Sequence, residues 1–340
     1  MIDRSAPPST SALDAADPEA WWWGPLAGLR PDVGRPLPPS GEPLRVAFVG
    51  QRTYFELCSQ RSPTRVIEPI LVEHRSGRDG RRLAASLEAA APHVVVVFRP
   101  ELIEDGCFDR LDALTVGVLT EPLPRAGGAH PDLERRLHDL AAVVPEQFDR
   151  IVSFDPEIAS TAARYVDVWR AVPLPVADEV FGWPEPSREP RFVFVGRSTP
   201  HREWFLLPLK HHYDLLHVDH GLFGDDFVAA TRAPGQVAVN LHNEPYPTFE
   251  NRVSLHLAAG QLVISEPLSP THGLESGLDF IEVRDPEEMM SVAGRIDRDP
   301  LIFEWVRWRG RLKAEGFRAS RVWARVIHDL LLDVAAFGGR

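Results

Sequence analysis

The strongest constraint on this chain is a rhythm that runs twice. Short, continuous, β-branched apolar runs alternate with helical stretches, and a proline-rich break separates the two series. In the first series the runs fall at residues 46–50, 66–72, 93–98, 115–119, 151–154 and 168–172. Helical stretches lie among them at 81–90 and 132–143. In the second series strands are predicted near 192–196, 214–219, 236–241, 262–265 and 280–283, and helices near 200–210, 225–232, 249–259 and 286–296. Runs that are apolar throughout, rather than alternating, belong to strands covered on both faces, which is the setting of a parallel sheet sandwiched by helices. Five prolines (173, 175, 184, 186 and 190) make a regular element improbable between the two series and mark a linker. The expected fold class is therefore α/β, with two Rossmann-like domains. The predicted division is a Pro/Ala-rich tail at 1–43, a first domain at 44–172, a linker at 173–190, a second domain at 191–318 and a closing helix at 319–340, with amphipathic helices over 301–316 and 320–336.

Composition narrows the function classes. At 340 residues the chain exceeds the usual ~100–200 residues of one domain. Its 37 basic against 49 acidic residues give a formal net charge of -12, which argues against a nucleic-acid partner. The basic residues are almost all arginine, Lys210 and Lys313 being the only lysines. This suits phosphate recognition, and it is equally what a GC-rich genome produces. Two cysteines, Cys58 and Cys107, cannot build a disulfide framework or a four-ligand zinc site, which fits a reducing cytoplasm. No apolar run approaches the ~20 residues of a membrane span, and the acidic, non-apolar start (Asp3, Asp14) is not a secretory signal. The three adjacent tryptophans 21–23 are costly to leave in water. They either dock on the protein's own surface or make a peripheral membrane or partner contact.

Chemistry in open α/β sheets gathers outside the carboxyl ends of the strands. Four loops of the second series qualify. Gly196-Arg197-Ser198-Thr199-Pro200-His201-Arg202 offers close backbone approach at Gly196, a cap at Ser198 or Thr199, and two guanidiniums, Arg197 and Arg202, for a diphosphate. The bland alternative is an ordinary strand–helix turn with exposed arginines. The second is Asn240-Leu241-His242-Asn243-Glu244, leading through prolines to Thr248-Phe249-Glu250-Asn251-Arg252. This polar cluster before a helix suits an anion or a sugar, with His242, Glu244, Phe249, Glu250, Asn251 and Arg252 as binding candidates. In the first helical turn Glu250 and Arg252 should point different ways, so that one of them faces the ligand. Alternatively, Thr248 is a plain N-cap and Glu250 a dipole-favourable surface charge. Ser265-Glu266-Pro267-Leu268 with Thr271-His272-Gly273-Leu274 follows another strand. Val218-Asp219-His220-Gly221 does too, although Asp225 and Asp226 read more simply as the start of a helix.

In the first series Gly50-Gln51-Arg52-Thr53 ends the opening strand, while Glu121 and Asp155 sit at strand ends where a general base could deprotonate an acceptor hydroxyl. Each is equally a helix cap or a loop carboxylate. Metal signals are poor. His217 and His220 lack further ligands, and Asp297-Arg298-Asp299 falls between helices and reads as a helix-ending turn. No Walker loop, Gly-x-Ser-x-Gly elbow or full dinucleotide fingerprint is present.

The stretch from Phe192 to Asp285 resembles the donor-binding half of GT-B glycosyltransferases. Phe249-Glu250-Asn251-Arg252-Val253 with Ala258-Ala259-Gly260 resembles the spore-maturation CgeB type, within the glycosyl transferases group 1 kind. The resemblance implies two domains facing across a cleft, with a nucleotide-diphosphate sugar on the second and the acceptor on the first. A basic residue after the first strand of the donor domain would meet the diphosphate, a glycine-containing loop at Gly50 would serve acceptor or phosphate, and the last helix would cross back to the first domain. It further implies transfer without a metal and with no cofactor besides the donor substrate. The chain departs from the pattern in one respect. Where many relatives carry two glutamates separated by seven residues, this sequence has Pro247 and Leu255, neither able to bond a sugar hydroxyl through a carboxylate. The expected function is thus a cytoplasmic glycosyltransferase of carbohydrate biosynthesis acting on a glycan, lipid or small-molecule acceptor, with Glu121, Asp155 and Glu250 as catalytic candidates. The alternatives are a non-catalytic GT-B-like protein that binds a sugar nucleotide or a partner, and an epimerase or hydrolase on the same fold.

Overall fold

The computed structural model describes residues 37–38, 41–75, 80–123 and 132–340. Tryptophans 21–23 and most of the 1–43 tail lie outside the described residues. Two compact units divide the chain. One comprises Glu179–Phe317, and the other the residues before it, up to Asp178, together with Arg318–Arg340.

The N-terminal unit contains β1 (Leu44–Gly50), α1 (Arg52–Phe55), β2 (Ile67–Glu73), α2 (Gly80–Ala90), β3 (Val94–Phe98), β4 (Leu114–Leu119), α3 (Leu133–Ala141), β5 (Arg150–Ser153), α4 (Ala159–Ala162) and β6 (Val168–Ala171). Its strands, all paired in parallel, lie in the order β2-β1-β3-β4-β5-β6. The sequence of β3, Val-Val-Val-Val-Phe, shows why. Successive side chains point to opposite faces, so Val94, Val96 and Phe98 enter one core while Val95 and Val97 enter another with Leu83, Leu87 and Phe108. The first core is covered by the helix Ala319–Phe337, which brings Trp323, Ile327, Leu330, Leu331 and Val334 onto it. Trp323 is fully buried against Phe48 and Phe98, with ring centroids at 5.4 and 5.9 Å, and its indole N–H donates to the Cys58 carbonyl at 2.9 Å.

The C-terminal unit contains β7 (Arg191–Val195), α5 (Pro200–His212), β8 (Leu215–Val218), α6 (Gly224–Thr231), β9 (Gln236–Asn240), α7 (Asn251–Ala258), β10 (Leu262–Ser265), β11 (Ile281–Glu282), α8 (Pro286–Arg298) and α9 (Glu304–Lys313). The last helix, Ala319–Phe337, is α10. The sheet order is β11-β10-β9-β7-β8, again with parallel pairing throughout. Phe192, Phe194, Val237, Val239, Leu262 and Ile264 form its core with Phe205, Leu209, Met289 and Ile296 from the helices. Two parallel-sheet α/β units are thus the fold class read from the sequence.

The proline-rich segment contributes to both units. The Ala177 amide donates to the Leu57 carbonyl in the N-terminal unit, while Gly182 and Pro184 are bonded to Ala258 and Arg307 in the C-terminal one. Two predicted elements shift. The 280–283 strand pairs over two residues only, and the 249–259 helix begins at Asn251 because Glu250 is extended, with φ -88° and ψ 139°. Asp299 ends α8 and accepts the Leu301 amide at 3.2 Å, a helix-ending turn. No helix among the described residues is long and apolar enough to cross a membrane.

Sheet order fixes where ligands fit. In each unit the chain winds outward on both sides of a first strand, and the crevice where the winding direction reverses lies between β1 and β3 in one unit and between β7 and β9 in the other.

Two histidines in the C-terminal unit link stability to pH. Burial pulls His256 and His272 down to about 4. Both are neutral in the folded and unfolded chain above the unfolded value of about 6.5. Below it the unfolded chain takes up protons that the folded one refuses, so stability is lost as pH falls from about 6.5 towards 4. The loss reaches up to about 3 kcal/mol for His256, and less for the half-buried His272. Denaturant titrations at pH 7, 5.5 and 4.5 should show that slope, and His256→Gln should remove the larger part of it.

Candidate functional site

At the reversal point of the C-terminal sheet, two guanidiniums occupy the space between the carboxyl ends of β7 and β9. The Arg202 Nε donates to the Leu241 carbonyl at 3.1 Å, Nη1 to the Arg197 carbonyl at 2.9 Å and Nη2 to Glu250 Oε1 at 3.3 Å. The Arg252 Nη1 donates to the Val195 carbonyl at 2.6 Å, and Nη2 to the Leu241 carbonyl at 3.2 Å and to Glu250 Oε2. Both cations lie over the Phe194 ring, 5.5 and 5.3 Å from its centroid. They are 5% and 8% exposed. Burial first, and then the neighbouring Arg197, bring Arg202 down to about 10. Burial and the adjacent Arg202 hold Arg252 well below the usual guanidinium range. Glu250 is the carboxylate that bridges the pair.

This placement separates candidates that the sequence grouped together. Arg202 was expected to reach a diphosphate; instead its guanidinium is buried and bonded to Leu241, Arg197 and Glu250. Arg197 is exposed, and among the described residues its side chain has no hydrogen-bond or ion-pair partner. Glu250 and Arg252, expected to point apart, meet, because helical spacing does not apply to a Glu250 that stands in extended conformation before the first turn. The Ser198 hydroxyl donates to Glu203 and its amide to Asp219 Oδ1 at 3.1 Å, while Thr199 rather than Ser198 caps α5. Phe249 is buried edge-on to His272, with centroids 4.7 Å apart. Asn251 opens α7 and its carbonyl accepts from Ser254 at 2.9 Å. Glu244 is half-buried near Arg202. His242 is buried with its Nε2 on the Pro267 carbonyl at 2.9 Å, and burial lowers its basicity.

Gly196 has a physical reason to be glycine. Its φ is +154°, and a Cβ there would stand 2.5 Å from Arg252 Nη1. The sequence read Gly196 as a ligand-approach residue; the structure shows it making room for a buried arginine.

Sequence reasoning gave no role to His201 and little to Glu266, yet they form a pair at 2.8 Å, with the other Glu266 oxygen accepting the His242 amide at 2.7 Å. The available signal was a glutamate placed directly after a four-residue buried strand, Leu262–Ser265. Asn240 and Ser265, opposite one another across β9 and β10, bond at 2.8 Å beneath them.

The reversal point of the N-terminal sheet carries a second charged group. Arg99, just past β3, has φ +64° and ψ 68°, a left-handed conformation uncommon outside glycine. Its Nε bonds Glu101 at 2.7 Å and lies 4.0 Å from Glu121. Burial raises the Glu101 carboxyl. Asp155 is buried as a cap, accepting the Glu157 amide at 2.8 Å, which ties up one of its oxygens. Glu121 stays half-exposed. Arg52 on the Gly50 loop pairs with Glu56 at 3.0 Å. A groove of about 610 Å³ also marks this unit, but it lies at the amino ends of β5 and β6, beside Phe148, Arg150, Tyr165 and Trp169, away from both reversal points. Among the described residues no three His, Cys, Asp or Glu side chains cluster closely enough to hold a metal ion.

No family model matches the chain and no curated protein resembles it in sequence. Solved structures do resemble it in shape. The sucrose-phosphate synthase of Thermosynechococcus elongatus aligns with a TM-score of 0.57 at 12% identity, covering 86% of this chain and 99% of that one. HepE of Anabaena in complex with UDP-glucose gives 0.52 at 10%, covering 84% and 99%. AviGT4, a glycosyltransferase involved in avilamycin A biosynthesis, gives 0.52 at 11%, covering 87% and 99%. At such identities the likeness is one of fold: two parallel-sheet α/β units of the GT-B class.

The buried pair generates a stability prediction. Glu250→Ala leaves two buried guanidiniums without their carboxylate and should cost about 3–5 kcal/mol. Gly196→Ala, with its clash against Arg252, should cost about 1–3 kcal/mol. Arg197→Ala, which removes an exposed group without a partner, should stay within about 0.5 kcal/mol of the parent. Urea unfolding of the three variants checks the ranking.

Proposed function

We propose that this protein transfers a sugar from a nucleotide-diphosphate sugar to an acceptor hydroxyl, with the donor on the C-terminal unit. One observation carries the reading. At the reversal point of that sheet the freely exposed Arg197 stands directly after β7, beside two buried guanidiniums whose charge is only partly offset by Glu250. A site of this kind favours an anion that develops or leaves there. It occurs in a fold shared with HepE, whose structure holds UDP-glucose, and with the glycosyltransferase AviGT4, and these likenesses support the reading.

In this proposal Arg197 contacts the diphosphate directly, while Arg202 and Arg252 act from beneath through their fixed positive potential. Glu250 positions them and does not touch substrate. On the N-terminal unit Glu121 is the preferable base, because Asp155 is committed to capping. Transfer without a metal, a hexosyl-type donor, a cytoplasmic setting, a role in carbohydrate biosynthesis and membership of the CgeB-like group complete the proposal. The last of these rests on the 249–253 and 258–260 residues alone. The acceptor is a glycan, a lipid or a small molecule.

A second reading, a GT-B-like protein that binds a sugar nucleotide without turning it over, is favoured by one feature. Pro247 is exposed and Leu255 is buried, so neither of the two relative-type glutamate positions offers a carboxylate to a sugar. The same titration serves both readings. UDP, GDP, dTDP and their glucose conjugates should raise the melting temperature, since ligand at about 100 times Kd stabilises by about 2.7 kcal/mol. Arg197→Ala should weaken the best of them about tenfold, the worth of one charge-assisted contact. Release of nucleoside diphosphate on adding an acceptor extract separates the transferase from the binder. No shift with any of these ligands at millimolar concentration would overturn both.

A further inference from the structure

The His201–Glu266 pair lies on the rim of this same site and has been given no task. Glu266 is 6% exposed and both of its oxygens are taken, one by the His242 amide and the other by His201 Nε2. Each oxygen thus already accepts one hydrogen bond in a nearly sealed place, and one of them is engaged by the imidazole. Its own place is rigid, because the Glu266 amide donates to the Asn240 carbonyl at 3.2 Å at the end of the β9–β10 ladder. On its other side the imidazole is held by Trp204 and Phe205, with ring centroids at 6.5 and 5.6 Å, and by its position in the first turn of α5 behind the Thr199 cap and Pro200. A carboxylate on Nε2 keeps the proton there and leaves Nδ1 as the atom that gains or loses one. Among the described residues Nδ1 has no hydrogen-bond partner, and the His201 side chain is 15% exposed. It lies in the first turn of α5, just beyond the loop that carries the exposed Arg197.

We propose that His201, oriented by Glu266, is a titratable contact through which the C-terminal unit holds the phosphate of a nucleoside diphosphate. The inference rests on the nucleotide reading above and adds to it a specific residue and a pH dependence. The charged groups shown to reach the imidazole are Glu266 from the loop after β10 and His242 from the loop after β9, with Arg202 next to it on its own helix and Arg197 in the loop before. Of these, Glu266 alone bonds the ring directly. An anion at Nδ1 is held more strongly by a protonated ring than by a neutral one, so nucleotide affinity declines as pH climbs and the ring loses its proton.

The test compares the parent protein with His201→Gln, which keeps a hydrogen bond to Glu266 and cannot titrate. UDP, GDP and dTDP are titrated calorimetrically from pH 5.5 to 8.5. The second ionisation of the phosphate, near pH 6, strengthens binding as pH rises but affects both proteins alike, so the ratio of the two Kd values isolates His201. That ratio should be about 10 at pH 5.5 and about 2 or less at pH 8.5, as befits a charge-assisted contact that becomes a neutral one. In parallel, the imidazole resonance of His201 should titrate at higher pH with UDP bound than without it. A Kd ratio that stays constant across pH, or an imidazole midpoint unmoved by UDP, overturns the proposal even where the nucleotide binds. If His201→Gln does not fold, the resonance in the parent protein decides. If none of the three nucleotides binds the parent, the nucleotide reading fails and this inference fails with it.

Discussion

The C-terminal unit is organised around one electrostatic compromise: two guanidiniums removed from water and placed side by side on Phe194. Neither could stay charged there unaided, since a buried cation costs several kcal/mol after relaxation and like charges add to that cost. The compensation is spread over four chain segments. The carbonyl of Val195 at the end of β7, the carbonyl of Leu241 just past β9, the carbonyl of Arg197 in the loop before α5, and Glu250 at the entry to α7 all accept from the pair. The Val195 and Leu241 carbonyls lie at the carboxyl ends of β7 and β9, and that of Arg197 in the loop that follows β7. The same bonds that satisfy the arginines therefore stitch the two strands bordering the reversal point to the two helices that follow them. The loop at Gly196 must fold tightly over Arg252, which is why its backbone takes a conformation that only glycine enters easily.

This arrangement assigns different work to residues of one type. Arg202 and Arg252 create a fixed potential and a rigid floor. Arg197 is exposed and has no side-chain partner among the described residues. Preorganised charge of this sort costs no rearrangement when an anion arrives, whereas a flexible surface arginine must be ordered each time. The carboxylates divide similarly: Glu250 neutralises the floor and Glu266 holds an imidazole. A count of charges in the loops would have missed the distinction, because it depends on which groups have spent their donors.

Much of the fold was legible in the sequence because it follows from local periodicity. The Val94–Phe98 run is apolar on both faces, and only a parallel strand between two helical layers uses such a run. The breaks at prolines 173, 175, 184, 186 and 190 were equally local. The contacts that define the site were not. That Glu250 meets Arg252 depends on an extended N-cap position, which moves one side chain out of helical phase. That Arg202 turns inward depends on Phe194 and on free carbonyls brought next to it by sheet order. His201 and Glu266 are 65 residues apart and meet only through the register that sets Ser265 opposite Asn240. A sequence lists the residues at strand ends; it does not say which of them are already bonded to one another.

The absence of carboxylates at positions 247 and 255 then takes on a different meaning. Leu255 is on the buried face of α7, in an unbroken buried stretch that runs from Arg252 to Glu266, and a glutamate there would need a partner that this packing does not offer. Pro247 is exposed in a loop braced by Pro245 and by the aromatic contacts of Phe249 with His272 and Phe317. The polar groups that remain at this rim come instead from the β10 loop, through Glu266, and from the start of α5, through His201 and Arg197. Glu266, 6% exposed and already accepting at both oxygens, is poorly placed to take over the binding of a sugar hydroxyl. On the proposed reading this rim meets a phosphate through Arg197 and His201, and any grip on sugar hydroxyls would then come from other groups.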